Sequence, residues 1–245
     1  MQLFDVAFGR NLLQEIPKIA NTPILVVAAK DLWPTYSKNF DGSDFVLYTP
    51  DSLEIVDLEA KIKNLPSFNS VVGFGGGVAI DVAKYVAWRT DKPLFQVPTS
   101  MSVNAPFAQR AAIRENGILK YVGFKVPEMV YVDYDIIQSA PKFINRSGVG
   151  DILCYYTGHW DYRYAVEKGK VESKWPLEEY WVSAAREVLD SVLNAADEIH
   201  EVSDEGIRIL MGALRWGGAA FNNTGWNPRP IEGSEHTFFY SLEHL

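Results

Sequence analysis

The chain has 245 residues and a net charge of −8, from 31 Asp and Glu against 23 Lys and Arg. No block of basic residues is available to neutralise phosphates, so a nucleic-acid partner is excluded. Apolar residues make up 47%, enough for a buried core and too many for disorder. A single cysteine, Cys154, leaves no intramolecular disulfide and fits a reducing compartment. The Met1–Asp5 start lacks the basic and apolar regions of a signal peptide, and no run reaches the ~18 apolar residues of a membrane span. A cytoplasmic chain without a membrane span is expected.

Apolar runs at Ile24–Ala28, Phe45–Tyr48, Ser70–Phe74, Leu94–Val97 and Met129–Asp133 read as strands. Between them, Leu53–Asn64 and Val78–Trp88 are helix-compatible. This alternation predicts a mainly parallel sheet covered on both faces, whose ligands lie beyond the carboxyl ends of the strands. After about Pro141 the pattern changes. Glu178–His200 carries the apolar stripe of an amphipathic helix, at Val188, Leu189, Val192, Leu193, Ala196 and Ile199. A further helix is expected from about Ser203, the N-cap, to Phe221, with Asp204 and Glu205 in its first turn. The boundary falls at 140–147, giving an α/β domain over 1–143 and a helical domain over 144–245.

Val71-Val72-Gly73-Phe74-Gly75-Gly76-Gly77 is an apolar strand that stops at three glycines and turns into a helix carrying Asp81 and Lys84. Glycine lets the backbone approach a ligand closely, and the helix start directs N–H groups and a positive dipole end at the loop. A nucleotide diphosphate suits this turn, although tight strand-to-helix turns also use glycine for steric reasons. Pro98-Thr99-Ser100-x-Ser102-x-Asn104 follows at the end of another strand. Its hydroxyls suit a pyrophosphate or nicotinamide, or serve only to satisfy a tight loop. Gly148-x-Gly150-Asp151 and Gly233-Ser234-Glu235-His236 complete the series.

These four motifs, in this order, resemble the metal-dependent branch of the iron-containing alcohol dehydrogenase superfamily. That branch includes glycerol dehydrogenase and shares its fold with dehydroquinate synthase. The pattern is most similar to the sn-glycerol-1-phosphate dehydrogenases, with Asp161 ten residues after Asp151 and Arg229-Pro230 ahead of Gly233. The resemblance runs from Val6-Ala7-Phe8-Gly9 to His236. It implies an N-terminal Rossmann-like domain followed by an all-helical metal and substrate domain. It further implies NAD or NADP on Gly75, Gly76, Gly77, Asp81, Thr99, Ser100 and Ser102. Asp151 and His236 would be two ligands of a divalent metal, Zn²⁺ by donor type. Outside the motif they read as a helix-start carboxylate and a surface histidine.

A third ligand is harder to find. His244 is eight residues beyond His236, a rise of ~12 Å on one helix, and His159 fails against Asp151 in the same way. His200 has no motif around it. In the family the missing histidine comes from a later His-Gly segment, and Ser241–Leu245 reads as an interrupted helix, so the helical domain is expected to be truncated. Asn104 stands where the family carries an aspartate that touches substrate. Tyr240 stands where a second histidine would follow His236 by one turn. Lys125, near the start of the strand Met129–Asp133, is placed near a substrate phosphate, or is simply a solvated lysine. Asp31, just past the first predicted strand, would disfavour a 2′-phosphate.

Two further features carry structural expectations. The aromatic belt Trp160, Tyr162, Tyr164, Trp175, Tyr180 and Trp181 is expected in core packing or a subunit interface, and Cys154 as a small buried residue. The resemblance implies a metal-assisted, NAD(P)-dependent dehydrogenase of a small polyol phosphate, a homo-oligomer interconverting dihydroxyacetone phosphate and glycerol 1-phosphate. Asn104, Asp151, Tyr240 and Lys125 would serve the chemistry. The alternatives are a cyclase of the dehydroquinate synthase type, which uses NAD transiently, and a non-catalytic nucleotide-binding remnant.

Overall fold

A computed structural model describes residues 4–242. They form two compact units, one running to Ser100 and resuming over Ala105–Pro141, the other taking Met101–Asn104 and the chain from Lys142 on.

The first unit is built on six parallel strands in the order β1-β8-β5-β4-β2-β3. Their ranges are β1 Asp5–Gly9, β2 Ile24–Ala28, β3 Phe45–Tyr48, β4 Ser70–Gly75, β5 Leu94–Pro98 and β8 Met129–Asp133. The five runs expected from sequence are all present, with β4 and β5 each a residue longer. β1, not expected, forms the edge beside β8. Strand β2 is buried throughout, yet its side chains still divide by parity. Leu25 and Val27 join one core, while Ile24, Val26 and Ala28 join the other. This period of two is why a strand covered on both faces reads as one unbroken apolar run.

Helices α1 (Ile16–Ile19), α2 (Trp33–Tyr36), α3 (Ile55–Asn64), α4 (Gly77–Thr90) and α5 (Tyr134–Ser139) accompany the sheet. The chain leaves β2 toward β3, then returns on the other side of β2 as β4 and continues to β5. The turns after β2 and β4 therefore diverge from neighbouring strands, the topological switch point where open α/β sheets bind ligands. Strands β6 (Ala111–Glu115) and β7 (Ile118–Val122) form an antiparallel hairpin outside the main sheet. This hairpin is not among the strands expected from sequence. Its signal is the Asn116-Gly117 pair, both residues at positive φ as a two-residue hairpin turn requires.

The second unit is helical: α6 (Lys142–Ser147), α7 (Val149–Glu167), α8 (Glu179–Asn194), α9 (Ala196–Glu201), α10 (Asp204–Asn223) and α11 (Ser234–Leu242). The single helix expected over Glu178–His200 is instead two, parted at Ala195. No breaker residue marks the break; Val192, Ala195 and Ile199 are all buried, so packing turns the chain there. Ser203 caps α10 as expected, accepting the Gly206 N–H at 3.0 Å. The aromatic belt divides. Tyr162 is 1% exposed and its hydroxyl meets the Trp175 carbonyl at 3.0 Å, while Trp160, Tyr164 and Tyr180 lie open. No helix among the described residues is long and apolar enough to cross a membrane.

Candidate functional site

In the first unit β4 ends at Gly75 and α4 begins at Gly77, with Gly76 as N-cap and no side-chain cap on the helix. Gly75 has φ +155, and a Cβ there would stand 2.7 Å from the Ala79 Cβ. Only glycine fits. Gly76 is the reverse case, with no atom within 4 Å of where a Cβ would be. Its backbone is open to a ligand, and the first N–H groups of a fourteen-residue helix lie beside it. The turn is pinned from both sides: Thr99 N–H donates to the Gly75 carbonyl at 3.0 Å, and Ala29 N–H to the Phe74 carbonyl at 3.1 Å. An uncapped, open helix start at the switch point has the donors and the room for an anionic diphosphate.

The other expected cofactor residues fall in different places. Thr99 is buried beside Gly75, and Ser100 closes the first stretch of this unit. Ser102 belongs to the second unit. Asp81 turns inward: its carboxylate lies 2.9 Å from the Lys84 ammonium, which is 1% exposed and also donates to the carbonyls of Ala105 and Arg110. This pair fastens α4 to the 105–110 segment. Lys125 lies at the far end of α4 from the glycine turn, 3.3 Å from Asp91, the C-cap of a helix ~21 Å long. The structure therefore sets it apart from the glycine turn. The cause is topological, since Lys125 precedes β8 and the amino ends of parallel strands face away from the glycine loop.

In the second unit the residues at 151, 154, 157, 158 and 161 share one face of α7, against the segment that leads into α11. Asp151 receives the Asn104 N–H at 3.3 Å, while Met101 N–H donates to the buried Asn145 at 3.1 Å. A Cβ on Gly148 would overlap the Met101 carbonyl. These three contacts seat Met101–Asn104 on α6 and α7 and carry Asn104 to Asp151. Gly158 lets the 229–233 backbone approach, with the Glu232 carbonyl 3.2 Å from its Cβ position. Asp161 receives the Ser234 N–H at 2.6 Å and so starts α11. That start delivers Glu235 and His236. The Cys154 sulfur, a Glu235 oxygen and a His236 ring nitrogen lie within 4.8 Å of one another.

Burial raises the Asp151 carboxyl above its ordinary range, against the opposing pull of His236 and the Asn104 N–H. Burial also raises Glu232, with Asp151 and Glu235 adding to it and His236 opposing. Partial burial acts upward on Glu235 too, but hydrogen bonds from Thr157 and backbone N–H groups outweigh it and hold this carboxyl low. The Cys154 thiol is pushed up by burial, then by Asp151 and Glu235, and donates to the Asp151 carbonyl at 2.8 Å. It is a buried residue, as expected, yet also a member of the cluster. A carboxylate and an imidazole kept close in a partly desolvated pocket are a donor set suited to a divalent cation. Sequence reasoning gave Glu232 and Glu235 no role, because an acidic residue beside a motif histidine carries no spacing signal of its own.

Tyr240 stacks obliquely near His236, ring centroids 6.1 Å apart. His159 accepts from Arg163 at 2.6 Å, and His200 lies 3.7 Å from Glu201. Neither joins the cluster. His244 lies outside the described residues.

The glycine turn at a switch point, followed by an acid–imidazole cluster on a helical unit, is the arrangement of a nucleotide-dependent dehydrogenase. The chain belongs to the iron-containing alcohol dehydrogenase family, whose model matches residues 39–141. Among curated relatives, the glycerol-1-phosphate dehydrogenase [NAD(P)+] of Hyperthermus butylicus is 31% identical, covering 96% of this chain and 67% of its own. That of Pyrococcus furiosus is 28% identical over 98% of this chain and 72% of its own. Among solved structures, a probable glycerol dehydrogenase from Sinorhizobium meliloti superposes with TM-score 0.71 at 21% identity, covering 90% of this chain and 66% of that one. The sulfoacetaldehyde reductase of Bifidobacterium kashiwanohense, solved with NAD+, gives TM-score 0.63 at 18% identity, over 94% of this chain and 72% of its own. The chain thus spans about two thirds of the length of the proteins it matches.

Proposed function

We propose that this chain is an NAD(P)-dependent, metal-assisted dehydrogenase interconverting dihydroxyacetone phosphate and glycerol 1-phosphate. The reading is carried by the open, uncapped glycine turn at the switch point, and its substrate by the similarity to glycerol-1-phosphate dehydrogenases along nearly the whole chain. The backbone N–H groups of Gly76 and Gly77 would hold the diphosphate, and the hydroxyls of Thr99 and Ser100 would complete the first unit's cofactor contacts. Asp151 and His236 would hold the divalent metal, with Zn²⁺ the ion favoured by a carboxylate–imidazole set. The chemistry supplied would be hydride exchange by a bound nicotinamide and Lewis-acid polarisation by a bound metal.

The chain's own residues orient and desolvate. Asn104, seated by its N–H on Asp151, offers an amide that both donates to and accepts from a substrate hydroxyl without adding negative charge near a phosphate. Tyr240, over His236, supplies a hydroxyl and an apolar wall to the same substrate. Exposed Trp160, Tyr164 and Tyr180 support self-association as a homo-oligomer.

The test is an NADH-oxidation assay with dihydroxyacetone phosphate, with Zn²⁺ and with chelator, on the wild type and on Asp151→Asn. We expect metal-dependent turnover in the wild type, its loss in Asp151→Asn, and NADH affinity within about twofold in both, since uniform cofactor binding is untouched. Turnover that survives Asp151→Asn would remove the metal role. NADH binding with no turnover in the wild type would favour a cyclase or a non-catalytic binder.

A further inference from the structure

The first turn of α11 holds a carboxylate that the chemistry above leaves unused. Glu235 immediately precedes His236, and its Oε1 lies 3.2 Å from His236 Nδ1. That same oxygen accepts the Gly233 N–H at 2.7 Å, while Oε2 accepts the Thr157 hydroxyl at 2.6 Å. The carboxylate is therefore clamped by its own turn and by α7. Gly233 is needed for the clamp: a Cβ there would stand 2.7 Å from Glu235 Oε2 and 2.9 Å from Asp161 Oδ2. An ionised carboxylate only accepts, so Oε1, besides taking the Gly233 N–H, can meet the imidazole only as an acceptor. The ring proton of neutral His236 then belongs on Nδ1, and Nε2 is left bare.

We infer that Glu235 is a positioning residue for the metal, holding His236 in the Nδ1–H tautomer and fixing its ring so that Nε2 is the donor atom. The inference rests on the reading that His236 is a metal ligand. Which nitrogen binds a metal is set by the hydrogen bond that the other nitrogen makes. Partners of this kind change metal affinity by about 10–100-fold when removed. The network Thr157–Glu235–His236 runs from the middle of α7 to the first turn of α11, so the two elements supplying Asp151 and His236 are held in register by the same carboxylate.

The experiment has two readouts on the full chain. Nitrogen shifts of ¹⁵N-labelled histidine, assigned with His236→Gln, report the tautomer of metal-free wild type and need no variant of Glu235. Co²⁺ titration reports affinity in wild type, Glu235→Ala, Glu235→Gln and His236→Gln. We expect the Nδ1–H tautomer, a loss of about 10–100-fold in Co²⁺ affinity in Glu235→Ala, and recovery of most of it in Glu235→Gln, whose amide oxygen still accepts the ring proton. An Nε2–H tautomer in the wild type, or wild-type affinity in Glu235→Ala, overturns the inference while leaving the metal reading intact. A sulfur-to-cobalt charge-transfer band, lost in Cys154→Ser, with equal loss in both Glu235 variants, overturns it by making the cluster a direct ligand set. Co²⁺ affinity unchanged in His236→Gln instead overturns the metal reading beneath it.

Discussion

Lys84 spends all three of its ammonium protons inside the protein, on Asp81 and on the carbonyls of Ala105 and Arg110. The glycine motif drew Asp81 and Lys84 together in sequence, three residues apart on one helix, and the fold turns both into its interior. Removing one partner of a buried pair leaves the other charge uncompensated, at about 3–5 kcal/mol. Lys84→Met should therefore lower the midpoint of thermal unfolding by roughly 6–20 °C, at about 2–4 °C per kcal/mol for a chain of this size. The double variant Asp81→Leu, Lys84→Met should recover part of that loss, because no charge remains to be stranded. Differential scanning fluorimetry on the three proteins checks both statements. At this scale the sequence shows which residue types cluster, and it leaves open which way each side chain faces. Asp151 and Asp81 read alike as carboxylates in glycine-led motifs; one receives the Asn104 N–H, the other a lysine.

Helices α3 and α4 are tied at their exposed edge by Glu59, which accepts from Arg89 Nε at 2.5 Å and from the Tyr85 hydroxyl at 2.6 Å. Those hydrogen bonds, Arg89 first, hold the Glu59 carboxyl below its ordinary value of 4.5, against a small opposing effect of burial. A carboxyl lowered in the folded state stabilises fully above its unfolded value and stops doing so as pH falls through the folded one. The stability gap between wild type and Glu59→Gln should thus be complete at neutral pH and close on acidification below 4.5. Urea unfolding of both proteins across that range is the measurement; a gap independent of pH would assign the link to packing. Elements were legible where local chemistry agreed with the fold: five strands of the sheet, both long helices of the first unit, and the Ser203 cap. The break at Ala195 was not, because it is made by what Val192 and Ile199 pack against. The hairpin at Asn116-Gly117 had a local signal that the helix–strand alternation around it masked.

Across the whole molecule, the glycine turn belongs to the first unit, and Asp151 and the Cys154–Glu235–His236 cluster to the second. A ligand that binds only the folded state adds about 2.7 kcal/mol at a hundredfold excess over its Kd. NADH and Zn²⁺ should therefore each raise the unfolding temperature of the wild type. In Asp151→Asn the NADH shift should persist and the Zn²⁺ shift vanish. Loss of both shifts together would show that the two sites do not act separately.

By itself the sequence determined the class of fold, the glycine turn and the order of the motifs. These rest on local rules: the period of side chains along a strand, the backbone freedom of glycine, the caps of helices. Only the tertiary structure decided that Asp81 faces Lys84, that Lys125 stands a helix length from the glycine turn, and that Met101–Asn104 joins the helical unit. It alone brought Cys154, Glu235 and His236 within one ligand's reach. Such placements depend on contacts between residues dozens of positions apart, and no local pattern encodes which partner a buried polar group will find.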